Sequence, residues 1–85
     1  MKQINFKLEA INMANVIIEW IHILYPGQSM VVFNDLLYYE NNSLRLGEEG
    51  NNLNSSNISK AEAILFLQFL YSNSLVKLLT GEINE

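Results

Sequence analysis

The sequence predicts an α+β domain of order β-α-β-β-β-α, with an antiparallel hairpin sheet packed against two mostly apolar helices. Three features carry that expectation. From Ala10 to Tyr25 the polar residues fall on a single helical stripe, and from Leu37 to Leu46 two alternating runs flank an Asn-Asn pair. Further on, Ser59-Lys60-Ala61-Glu62 has the form of a helix-start capping box ahead of a long apolar run. The 85 residues suffice for one core and not for two, so 1–85 is read as a single domain.

Taken in order, Ile4, Phe6 and Leu8 alternate with Asn5 and Lys7, which predicts a short first strand over Gln3 to Leu8. In the first helix, Asn12, Asn15, Glu19 and His22 recur at three, four and three residues, and Pro26-Gly27 stops it. Ser29 to Phe33, β-branched and aromatic, reads as a second strand, with Asn34-Asp35 as the turn after it. A type I′ turn at Asn41-Asn42 suits the tolerance of Asn for positive φ. It sets Tyr39 opposite Leu44 and Leu37 opposite Leu46 on an apolar face, with Tyr38 opposite Arg45 and Glu40 opposite Ser43 on a mixed one. Gly47 to Asn57 reads as a long loop with Leu53 as its one large apolar residue. The last helix starts at the capping box and either bends or breaks at Ser72-Asn73-Ser74. Its remainder runs to Thr80, with Lys77 in the last turn and Gly81 as cap.

Both helices are apolar nearly all round: the segment Ala63 to Tyr71 holds Gln68 as its single polar residue. One small sheet cannot easily enclose both, so apolar surface is expected to stay exposed and to mark a self-interface or a protein partner. Trp20 and Tyr39 fall on core-facing positions. Tyr38, on the opposite hairpin face beside Arg45, is the better contact residue.

Composition narrows the choice of partner. The chain is 49% hydrophobic and 16% charged, well under the roughly 25% charged residues of ordinary soluble domains. A formal charge of −4 disfavours both nucleic acid and acidic membranes. The N-terminus lacks a secretory apolar region and no long uncharged apolar run follows, which points to a cytoplasmic protein. Asn and Ile are abundant and Arg45 is the sole arginine, a bias that A/T-rich coding DNA produces.

No catalytic residue, cofactor site or metal site is expected. With no cysteine, thiol chemistry and Cys-type zinc sites are absent. A Ser-His-Asp arrangement would have to use His22, and no nucleophile-elbow pattern surrounds Ser29, Ser43, Ser55 or Ser56. Glu19 and His22 share a helix face, but two ligands do not make a metal site. Glu48 and Glu49 read as a solvated acidic loop, and Gly47 and Gly50 match no phosphate-binding fingerprint.

The α-β-β-β-α part of the order is similar to the double-stranded-RNA-binding domain, and Ser59-Lys60-Ala61-Glu62-Ala63 distantly resembles that family's lysine-containing phosphate-binding segment. That family meets phosphates with a lysine cluster, whereas this segment has one Lys and one Glu, and Lys2, Lys7, Arg45, Lys60 and Lys77 are scattered. No RNA-binding role is carried over. The expectation is a non-enzymatic protein-interaction module, homo-oligomeric, of the type a phage or mobile element encodes to inhibit or regulate a host protein. Its partner-binding residues would be Tyr38, Arg45, Glu48, Glu49, Asn51 and Asn52. The alternative is a nucleic-acid-binding regulator whose few basic residues gather in an oligomer.

Overall fold

The turn at Asn41-Asn42 organises the sheet. Both residues have positive φ, +45° and +69°, the left-handed pair that a type I′ turn requires and that matches strand twist. In the computed structural model, which describes residues 5–33 and 35–72, this turn joins β2 (Leu37–Glu40) to β3 (Ser43–Leu46). The register pairs Leu37 with Leu46, Tyr38 with Arg45, Tyr39 with Leu44 and Glu40 with Ser43. Burial alternates accordingly: Leu37, Tyr39, Leu44 and Leu46 are buried, and their neighbours half-buried. The expected hairpin and both of its faces are present.

Two strands extend it. β1 (Met30–Val32) pairs antiparallel with β2, and β4 (Asn51–Asn52) pairs antiparallel with β3. The sheet order is β1-β2-β3-β4, so every strand lies beside its sequence neighbour. β4 was not expected, because Gly47 to Asn57 reads as loop. Gly47 and Gly50, at φ +86° and +68°, close a tight turn through Gly50 N–H to Gly47 C=O (3.0 Å), which returns the chain along β3. Leu53 N–H then donates to Leu44 C=O (2.7 Å), and Leu53 and Ile58 turn into the core.

The helices are α1 (Phe6–Leu24) and α2 (Lys60–Ser72). The expected first strand is corrected, since Phe6 to Leu8 form the first turn of α1; Gln3 and Ile4 lie outside the described residues. Asn5 caps the helix, its side chain accepting from Leu8 N–H (3.1 Å), with Glu9 in the first turn. Phe6, Ala10, Met13, Ala14, Ile17 and Ile21 then form one core-facing stripe, and this longer period outweighs a three-step alternation. At the other end Tyr25 N–H still reaches Ile21 C=O (2.8 Å), and Gly27 at φ +82° makes the turn after Pro26. The part of the expected α2 bend at Asn73-Ser74, with Lys77 and Gly81, lies outside the described residues, as does Asn34 of the expected turn after β1.

Both helices lie on the face of the sheet that presents Leu37, Tyr39, Leu44 and Leu46, sharing one core in which Phe66 of α2 is fully buried. Lys60 Nζ sits 5.8 Å from the Phe6 ring centroid, and the Tyr71 hydroxyl donates to Glu9 Oε2 (3.4 Å). At 1.5 Å per residue the first members of these pairs lie about 16 Å apart along α2, but their partners only about 4.5 Å apart along α1. α2 therefore crosses the first turns of α1. Fully buried Ala10, Ala14 and Ala63 leave room for close helix approach.

The capping box forms as expected: Glu62 N–H donates to Ser59 Oγ (3.0 Å) and Ser59 N–H to Glu62 Oε1 (2.9 Å). Asn51 Nδ2 donates to the other carboxylate oxygen and ties β4 to the start of α2. The Ser59 amide, with the Asn51 amide second, holds the Glu62 carboxyl below its ordinary value. A depressed carboxyl stabilises the fold above its unfolded pKa, and that stabilisation is lost as pH falls through the folded pKa. In urea titrations Ser59→Ala should cost about 1 kcal/mol at neutral pH. The stability gap between the parent and Glu62→Gln should narrow as the pH is taken into the acid range; a gap independent of pH would contradict this role for the carboxylate.

Candidate protein-binding face

Strand alternation decides which side chains leave the core. With Leu37, Tyr39, Leu44 and Leu46 turned to the helices, Tyr38, Glu40, Ser43 and Arg45 point to the opposite face. Register adds Met30 and Val32 from β1, paired with Glu40 and Tyr38, and Asn52 from β4, paired with Arg45. One row across the sheet therefore reads Val32, Tyr38, Arg45, Asn52. Both helices pack on the other face, so Met30 and Val32 remain 47% and 66% exposed.

Arg45 holds the middle of this face. Its Nη1 donates to Gly50 C=O (2.8 Å), and its Nε lies 3.5 Å from Glu40 Oε1, a half-exposed ion pair that adds at most about 1 kcal/mol. Gly50 lies directly against the Tyr38 hydroxyl, where a Cβ would collide with that oxygen and meet Tyr38 Cζ at 3.5 Å. Close approach and positive φ both call for glycine here.

Beyond Arg45 the surface opens into a polar cleft of about 430 Å³ between the β3–β4 turn, the following loop and the start of α2. Arg45, Glu49, Asn51, Asn52 and Glu62 contribute to its walls, with Ser55 and Asn57 beside them. Its loop is held by short polar bonds. Asn52 Nδ2 donates to Ser43 Oγ (3.2 Å), Asn54 N–H to Asn52 Oδ1 (3.0 Å) and Asn57 N–H to Ser55 Oγ (3.1 Å).

Of the six residues expected to bind a partner, Arg45, Glu49, Asn51 and Asn52 meet at this cleft. Tyr38 stands beside it against Gly50, and Glu48 is exposed on the same turn without lining it. Met30 and Val32 were missed as surface residues. Ser29 to Phe33 is almost uniformly apolar, so no alternation marks which side chains face out. Ser55 and Asn57 were missed because only the chain's return along β3 brings them to Arg45.

His22, the candidate for metal or nucleophile chemistry, is engaged elsewhere. Its Nε2 lies 2.8 Å from Asn42 Oδ1 and 3.1 Å from the Tyr39 hydroxyl, which itself donates to Asn42 Oδ1 (3.2 Å). The rings of His22 and Tyr39 meet edge to face at 6.1 Å. This cluster pins the end of α1 to the hairpin turn and satisfies the hydroxyl of buried Tyr39. Among the described residues no three His, Cys, Asp or Glu side chains gather as metal ligands, and no helix is long and apolar enough to cross a membrane.

Compared with known protein families, curated protein sequences and solved structures, the chain matches none.

Three substitutions probe this face and the His22 cluster. Gly50→Ala should destabilise the fold by more than about 1 kcal/mol, because positive-φ strain adds to the collision with Tyr38. Tyr38→Phe in the same chain should recover part of the loss, a coupling that denaturant titration of the double-mutant cycle measures. His22→Ala should cost about 0.5–1.5 kcal/mol by thermal melting and leave the circular dichroism spectrum native.

Proposed function

We propose that this chain is a non-enzymatic protein-interaction module that self-associates, and that it acts by covering a surface of another protein. The observation that carries this reading is the face of the sheet that no described element covers. Exposed Met30 and Val32 lie beside Tyr38 and Arg45, with the polar cleft at their margin. Met, Tyr and Arg within a polar rim are the side chains enriched at protein interfaces. Ile23 and Leu24 at the end of α1 and Tyr71 on α2 are exposed as well, consistent with a chain whose apolar content exceeds what one sheet can cover.

Size, low charge and Asn/Ile-rich composition support the narrower reading of an inhibitor or regulator encoded by a phage or mobile element and acting in the cytoplasm. Binding to nucleic acid is the weaker reading. The net charge is −4, Arg45 is turned to Gly50 and Glu40, and Lys60 lies over Phe6. Light scattering over a concentration series tests the self-association. A mass at or above twice the 9.8 kDa chain is expected, and 9.8 kDa at every concentration would overturn it.

A further inference from the structure

The two edges of the sheet differ. β4 is two asparagines long, and Asn51 is tied to Glu62 of α2. β1, three residues long, carries no charge or proline to blunt its edge: Ser29 to Phe33 contains no charge, no proline and no glycine, and among the described residues β2 is its only neighbouring strand. Ser29 C=O accepts from Asn41 N–H (2.9 Å) and Phe33 N–H donates to Leu37 C=O (3.0 Å). Hydrogen bonding alternates along an antiparallel strand, so Val31 turns its N–H and C=O to β2, and Met30 and Val32 turn theirs outward.

We infer that β1 is the self-association interface, pairing antiparallel with β1 of a second copy about a two-fold axis through Val31 to make one continuous eight-stranded sheet. This rests on the self-association proposed above and adds where it occurs. The outward groups are self-complementary under that axis. Met30 of one copy lies opposite Val32 of the other, each such pair exchanges two backbone hydrogen bonds, and the pair occurs twice, giving four. Met30 and Val32 share the open face of the sheet, so each apolar side chain gains an apolar cross-strand neighbour. Charge selects the same edge. Two chains of net charge −4 meet most readily along a segment that carries no charge, and Glu40, the carboxylate in register with Met30, already lies beside Arg45.

Val32→Pro tests this directly. It removes an outward N–H and leaves the bonds of β1 to β2 intact, and edge strands accept proline at such positions. Two of the four intermolecular bonds disappear, so the dimer dissociation constant from sedimentation or light scattering should rise at least tenfold with native circular dichroism retained. Val32→Lys, which keeps the backbone donor and places like charge across the axis, should weaken the dimer as well and serves if the proline variant does not fold. Ile23→Ser, on the helix layer, should leave the constant unchanged. A dimer unaffected by Val32→Pro or Val32→Lys would overturn the β1 interface while leaving self-association standing. A parent chain that is monomeric throughout would overturn both.

Discussion

The positive φ angles of Asn41 and Asn42 set the register of the central hairpin, and most of the structure depends on that register. A slip of one residue would turn Tyr39 and Leu44 to solvent and bring Tyr38 and Arg45 into the core. Arginine in an apolar core would carry a desolvation cost of several kcal/mol, so turn chemistry and burial specify the same pairing. Every other element is placed relative to it. β1 pairs on one side, β4 on the other, and α1 is held at the turn itself through His22, Tyr39 and Asn42.

Above the hairpin, the helices meet by crossing, and the crossing is made where the sequence is small. Ala10, Ala14 and Ala63 are fully buried, while bulk is supplied by Ile17, Ile21 and Phe66. Burying each of these larger side chains contributes about 1.5–3 kcal/mol. The polar links at the margins, Tyr71 to Glu9, Lys60 over Phe6 and Asn51 to Glu62, orient the layers more than they stabilise them, because exposed contacts of this type are each worth 1 kcal/mol or less.

Among the described residues, two helices on one side of a four-stranded sheet leave the other side without a covering layer, and the molecule treats its parts differently. Toward β4 the surface is polar, knit by Asn52, Ser43, Asn54 and Ser55. Toward β1 it is apolar and its backbone ends in outward-facing donors and acceptors. A partner with extended backbone and apolar side chains suits the second region, and one offering hydrogen-bonding groups suits the first.

Local chemistry determined much of this structure before any tertiary contact was known. The Asn-Asn turn, the Pro-Gly stop of α1 and the Ser59–Glu62 box each depend on residues within four positions of one another, the hairpin register on residues within nine, and all formed as the sequence implies. The tertiary structure decided the rest. Phe6 to Leu8 joined α1 because Asn5 caps the helix and the core stripe runs through Phe6, a choice that three alternating residues could not reveal. β4 exists because the turn closed by Gly47 and Gly50 brings Asn51 and Asn52 back beside β3, and the cleft exists because that return sets Asn51 against Glu62. Arg45 and Tyr38 were legible as outward residues from alternation alone; which residues stand beside them was not, since a period of two assigns a face and only the closure of distant segments assigns its neighbours.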